Sequence, residues 1–146
     1  MVQTSDTASI GQGSQGRCHV LVEAPARWSF AVKGASRLGG CDVAFCGGPE
    51  HRAECPILAG EPCPFIDRAD VVVAGLGLGT AESRRIVDGT KRLHPDKGVV
   101  LLVWRADLAR HPECLEGCEA VVFPWTTRKL SRAVAAAARD AAQPAE

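Results

Sequence analysis

This chain carries no excess of charge of either sign: 17 Lys and Arg stand against 17 Asp and Glu, for a formal net charge of zero. That balance removes the broad electrostatic attraction by which proteins gather nucleic acid or an anionic membrane. The one basic cluster, Arg128, Lys129 and Arg132, reads as the wet face of a helix. No apolar run approaches the roughly 18 residues that would span a bilayer. The first 16 residues are polar, with no positive segment ahead of an apolar core, so they do not read as a secretory signal. A cytoplasmic location is therefore expected, with neither nucleic acid nor membrane as a partner. Also missing are the reactive groups of the glycine turn in Ala69-Asp-Val-Val-Val-Ala-Gly-Leu-Gly-Leu-Gly-Thr80. The turn holds no carboxylate and no lysine, and no nucleophile beyond Thr80 and Ser83.

What is present describes one ordinary globular domain. The 146 residues are 46% hydrophobic and 23% charged, enough to bury roughly two-thirds of the unfolded surface. Residues 1–16, rich in Ser, Thr, Gln and Gly, cannot bury enough apolar surface to offset ordering entropy and read as a disordered tail. The domain is expected over 17–141, with 142–146 as a flexible end. Cys18-His-Val-Leu-Val-Glu23 suits a buried strand. Pro25 can open a helix in which Trp28, Ala31, Val32, Ala35 and Leu38 recur at helical spacing, stopped by Gly39-Gly40. Cys41-Asp-Val-Ala-Phe-Cys46 reads as the second strand.

The pattern then breaks over 47–69, where prolines at Cys55-Pro-Ile-Leu and Glu61-Pro-Cys-Pro-Phe leave room for no more than one or two short turns. A loop of this length in a compact domain is usually functional or mobile. Val71-Val-Val-Ala74 and Val99-Val-Leu-Leu-Val103 are continuously apolar, as strands covered on both faces are. Thr80 caps a helix carrying Ile86, Thr90 and Leu93 on one face until His94-Pro95, and Glu82 suits its first turn. A short connection through 106–117 leads to a fifth strand, Ala120-Val-Val-Phe123. Thr126 or Thr127 caps a last helix with Leu130, Ala133, Val134 and Ala137 inward. Strands separated by helical or loop crossovers imply an α/β, mostly parallel, doubly wound sheet.

Several segments resemble the receiver domains of bacterial response regulators. Val20-Leu-Val-Glu23 is similar to the first receiver strand, which ends in paired acidic residues that hold magnesium. Asp70-Val-Val-Val-Ala-Gly-Leu-Gly-Leu-Gly79 is similar to the third, where an aspartate accepts the phosphoryl group before a Leu-x-Leu-Pro turn. Gly117-Cys-Glu-Ala-Val-Val-Phe-Pro124 is similar to that family's glycine, fifth strand and Lys-Pro pair. The resemblance covers about residues 17–141. It implies a receiver or flavodoxin-like sheet with strand order 2-1-3-4-5, the second helix here replaced by the Cys/Pro-rich loop. It also exposes what is gone. The phosphoacceptor position falls on Gly75, the acidic pair on Glu23 and Ala24, the switch hydroxyl on Val103 or Trp104, and the lysine on Phe123. Aspartyl phosphate chemistry needs a carboxylate nucleophile, magnesium and a cation on the phosphoryl oxygens. A lone Glu23 is left to hold a metal, so the resemblance implies a degenerate, chemically silent receiver rather than an enzyme.

In that family the face built from the fourth helix, fifth strand and fifth helix meets partners or a second copy. It corresponds here to 107–117, 120–125 and 127–138. Trp104 and Trp125, at the ends of adjacent strands, can anchor such an interface or pack at the rim, with Arg128 and Lys129 beside them. A protein partner or a homodimer is expected there, and no cofactor.

The seven cysteines suggest other functions. An odd number cannot pair completely within one molecule, and without an export signal they are expected as thiols. Cys46-x4-His51-x3-Cys55-x7-Cys63 offers four soft ligands, enough for zinc or, with Cys41 replacing His51, an iron–sulfur cluster, although no C-x2-C knuckle is present. A thiol or metal sensor is thus one alternative, and plain packing thiols another. His111-x2-Cys114-x3-Cys118 would place its two cysteines on one helical face; Cys118, at the opposite end of the sheet from Cys46, belongs to no joint site. Cys18 and Cys41 read as small buried hydrophobes. Nucleotide binding at 75–80 is a further alternative, although the turn fits neither G-x-G-x-x-G nor a P-loop. Cys–His catalysis rests only on His51 lying close in sequence to Cys46 and Cys55, while His19, His94 and His111 read as solvated or capping.

Overall fold

The structure, a computed structural model, describes residues 18–25, 40–47 and 54–142. The expected tail over 1–16, the helix expected after Pro25, and His51 lie outside the described residues. Strand β1 is His19–Glu23, β2 Asp42–Cys46, β3 Val71–Ala74, β4 Gly98–Val103 and β5 Glu119–Val122. They form one five-stranded sheet in the order β2-β1-β3-β4-β5, and every pairing is parallel. Parallel pairing sends the carboxyl ends of all the strands to one side. The described helices are α1 Pro64–Asp67, α2 Ala81–Leu93, α3 Arg105–Arg110 and α4 Thr127–Ala142, with a 3₁₀ turn at Pro112–Leu115. None is long and apolar enough to cross a membrane.

Side chains alternate across the sheet. Val20, Val22, Val71, Val73, Val100, Leu102 and Val121 meet Leu130, Ala133, Val134 and Ala137 of α4 on one face. On the other face Ala74, Val99, Leu101 and Val103 meet Val87 of α2, while Leu21 and Val72 meet Ile57 and Ile66. The strands β3 and β4 are buried at every position, as their unbroken apolar runs require.

Local chemistry sets the helix ends. The Thr80 hydroxyl accepts from the Ser83 backbone N–H at 3.1 Å, and Thr126 accepts from Lys129 N–H at 3.1 Å. The 47–69 region, where described, holds a turn at 56–60 and the one-turn α1, which starts on Pro64. A proline at the first helical position gives up no hydrogen bond, since that N–H has no partner in the helix.

Two local expectations are corrected. The connection over 106–117 contains α3 and a 3₁₀ turn; Cys114 lies in that turn and Cys118 follows Gly117, whose φ is 77°. Cys114 and Cys118 therefore share no α-helical face. Of the two roles expected of His94, capping holds and solvation does not, since the side chain is buried at 2% exposure. It closes α2, accepts from the Cys63 backbone N–H on Nε2 at 2.9 Å, and sets Nδ1 3.2 Å from Asp67. One imidazole thus ties the end of α2 to the start of α1.

At Gly98, the first residue of β4, an added Cβ would collide with the backbone of Ala137 in α4. Helix and strand approach so closely there that no side chain fits. Gly98→Ala should cost about 3 kcal/mol in urea unfolding. Gly79→Ala, with open space around it, should stay within about 0.5 kcal/mol of the parent.

Candidate functional site

The register brings the receiver-like positions to one mouth of the sheet. Glu23 pairs with Ala74 and with Cys46, and Val103 pairs with Val122. Gly75 follows β3, and its N–H donates to the Glu23 carbonyl at 2.6 Å. There is no unused room at Gly75. An added Cβ would lie 3.1 Å from Leu102 Cδ1 and 3.3 Å from both the Ala24 Cβ and the Glu23 carbonyl oxygen. Leu102 and Ala24 belong to the core under α4, so apolar packing occupies the space where a phosphoacceptor side chain would begin.

Glu23 does not behave as an exposed metal ligand. It is 6% exposed, and burial pushes its carboxyl from the ordinary 4.5 up to about 7. With Ala74, Leu78, Ile86, Leu101 and Leu102 among its neighbours, it lines a pocket of about 10 Å³, roughly the space of one water. Magnesium asks for ionised carboxylates beside a phosphate. The matched partner of Glu23 is Ala24, and the third matched position is Gly75, so these residues do not fit that ion.

The resemblance puts the switch hydroxyl on Val103, which is fully buried, or on Trp104, and the lysine on Phe123. Trp104 follows β4, and its backbone N–H donates to the Asp107 carboxylate at 2.8 Å, which fixes the start of α3. Phe123 follows β5, and its N–H donates to the Val103 carbonyl at 2.9 Å. The Trp104 and Phe123 ring centroids are 4.1 Å apart; Trp125 lies 5.3 Å from Phe123, edge-on, and 6.0 Å from Trp104. Trp125 packs on the α4 core and donates from Nε1 to the Val121 carbonyl, whereas Trp104 and Phe123 are 43% and 41% exposed. Lys129 Nζ donates to the Pro124 carbonyl at 3.3 Å, at the edge of this cluster. Arg128 is exposed one residue earlier on α4.

The glycine turn is explained by its backbone. Gly77 has φ 88°, which favours glycine, and a Cβ at Gly75 would press on Leu102, Ala24 and the Glu23 carbonyl. Arg84 Nη1 donates to the Leu78 carbonyl at 2.7 Å and lies 3.3 Å from His111 Nε2, tying the turn to α2 and α3.

The proposed soft-ligand set is only partly brought together. Cys46, Cys55 and Cys63 all meet the cluster of Leu21, Ile57, Ile66 and Val72. Burial raises the Cys63 thiol, with Glu23 and Cys46 adding to the rise against the pull of the Ile66 and Phe65 backbone amides. Among the described residues, no group of three or more His, Cys, Asp or Glu is placed to hold a metal ion.

No protein-family model matches the chain, and no curated protein matches it. Solved structures do. A response regulator receiver domain protein from Clostridium thermocellum matches 86% of this chain and 95% of its own, at 19% identity and a TM-score of 0.62. This chain has the receiver fold. The N-terminal signal receiver domain of a two-component response regulator from Bacteroides fragilis matches at 22% identity, 84% and 96% coverage and a TM-score of 0.62. A receiver domain protein from Methanospirillum hungatei JF-1 matches at 15% identity, 86% and 94% coverage and 0.61. At these identities the likeness establishes the fold alone.

Sequence reasoning missed two parts of the site. The Leu102–Ala24 packing depends on strand neighbours distant in the chain. Phe123 reads from the sequence only as a lost lysine, and its stacking on Trp104 needs β4 beside β5.

The buried Glu23 predicts a pH dependence. Between 4.5 and about 7 the folded protein keeps a proton that the unfolded chain has released. Stability should therefore fall as pH rises through that window, by up to about 3 kcal/mol. Glu23→Gln should flatten the slope and raise stability at the alkaline end, as read by urea unfolding across the window.

Proposed function

We propose that this domain is a phosphorylation-incompetent, receiver-fold signalling module that acts through protein contacts. The observation that carries the reading is the mouth of the sheet: Trp104 and Phe123 stacked at 4.1 Å, where the resemblance implies a lysine at 123 and a hydroxyl at 103 or 104, beside a Gly75 closed in by Leu102 and Ala24. Phosphoryl transfer depends on charge placed against charge, and the matched positions supply one buried carboxyl. What remains at the mouth is apolar and half-exposed. Aromatic side chains of this kind, with Lys129 and Arg128 at the edge, are favoured anchors for a protein interface. The face formed by 107–117, 120–125 and 127–138, continuous with the aromatic rings, is the surface we assign to a protein partner or a second copy.

Incubation with a small phosphodonor and magnesium should leave the intact mass unchanged. Gly75→Asp should not restore labelling and should lower stability, because its side chain enters filled space. Stoichiometric labelling of the parent at an aspartate would sink the reading. If the partner is a second copy, sedimentation of the parent should show a dimer that Trp104→Ala weakens by at least about tenfold, as expected for a buried aromatic anchor.

A second reading, thiol or metal sensing through the 46–63 segment, is favoured by the convergence of Cys46, Cys55 and Cys63 on one cluster. Elemental analysis of freshly purified protein tests it. A stoichiometric metal that disappears in the Cys55→Ser, Cys63→Ser variant would favour this reading over the first.

A further inference from the structure

At the opposite, amino end of the sheet, Cys18 and Cys41 sit immediately before β1 and β2. The strands pair in parallel with His19 opposite Asp42, and the Asp42 N–H donates to the Cys18 carbonyl at 2.8 Å. The register therefore runs one residue further and sets Cys18 beside Cys41. Both side chains pack against the core under α4, so both leave the sheet on the same face. The neighbouring Cys41 thiol is among the groups that raise the Cys18 thiol, and both residues are half-buried rather than sealed. Neighbouring strands lie about 4.8 Å apart, inside the Cα separation of roughly 4.4–6.8 Å that a disulfide accepts.

We propose that Cys18 and Cys41 form a redox-active dithiol that closes reversibly to a disulfide, with a small-molecule disulfide as the oxidant. Cys41 thiolate attacks one sulfur of the small disulfide, making a mixed disulfide and expelling one small thiolate, which takes up a proton. Cys18, losing its proton to solvent, attacks the Cys41 sulfur and expels the second small thiol. The two protein thiols lose two hydrogens and two electrons in total, and the oxidant gains both as two thiols.

The surroundings decide the order of these steps. Burial, the hydrogen bond and charge of Cys41, and the Asp70 carboxylate push the Cys18 thiol up to about 12. Asp70 is held in place by the His19 N–H at 2.9 Å, and His19 Nδ1 lies 3.6 Å from Asp42. Cys18 is thus suited to resolve a mixed disulfide at short range and not to attack a free oxidant. The closed bond would tie the edge strand β2 to β1 at their amino ends. The other cysteines are placed differently. Cys118 Sγ lies 3.7 Å from the Cys114 and Glu116 carbonyl oxygens, and Cys63 is buried beneath α1. This inference is independent of the function proposed above.

The test uses the full chain in mixtures of reduced and oxidised glutathione, quenched in acid, alkylated and peptide-mapped. The expected product is a Cys18–Cys41 linked peptide pair in a molecule lighter by two hydrogens, reopened by excess reduced glutathione, with Cys114 and Cys118 still alkylated. Cys18→Ser should retain a glutathione adduct on Cys41, because the resolving thiol is gone. In the parent, persistent adducts without an 18–41 bond would overturn the proposal, as would a different pairing. The parent measurement decides the matter even if the variant fails to fold.

Discussion

The centre of the sheet sets the terms for everything else. All residues of β3 and β4 are buried, so both faces there must be covered and no polar group can stand in either strand. Parallel pairing follows from the crossovers, and it delivers the strand ends to a common mouth. Gly98 lies so close to the backbone of Ala137 that no Cβ fits between them. This contact limits how closely α4 approaches the amino end of β4, while at the carboxyl end Leu102 packs beside Gly75.

The same scaffold that could serve charge chemistry serves packing here. A receiver-type site depends on carboxylates kept ionised by one another's ligands and by solvent. In this chain Glu23 is enclosed by apolar side chains, and its carboxyl holds its proton to about neutral pH. The outer part of the mouth is built by Trp104, Phe123 and Trp125, positioned by backbone hydrogen bonds at the ends of β4 and β5 and by the Asp107 contact that starts α3. At this mouth the Glu23 carboxyl is buried while the Trp104 and Phe123 rings are half-exposed.

The cysteines divide by position in the fold. Cys18 and Cys41 share the amino end of adjacent strands, Cys46, Cys55 and Cys63 share a cluster on the far face, and Cys114 and Cys118 neighbour the second core. Parallel strands separate the first group from the second by the full length of β1 and β2. Any chemistry at one group is therefore local to it, and the total number of thiols says little about what each group does.

Much of the architecture was legible in the chain because its signals are local. The unbroken runs Val71–Ala74 and 99–103, the Thr80 cap, and the inward face of Leu130, Ala133, Val134 and Ala137 depend on residues a few positions apart. The strand order came from the resemblance and agrees with the sheet. The extent of the helix expected over 107–117 was not legible, since α3 stops after six residues at Arg110 and a 3₁₀ turn follows. Nor was the burial of His94, whose partners Cys63 and Asp67 lie about thirty residues away. The sequence by itself determined that Gly75, Val103, Trp104 and Phe123 carry no carboxylate, hydroxyl or ammonium group, because a side chain is either present at a position or not. Only the tertiary structure decided what surrounds those positions. Filled space at Gly75, stacked rings at 104 and 123, and paired thiols at 18 and 41 each arise between segments far apart in the chain, and such contacts exist only once the strands lie side by side.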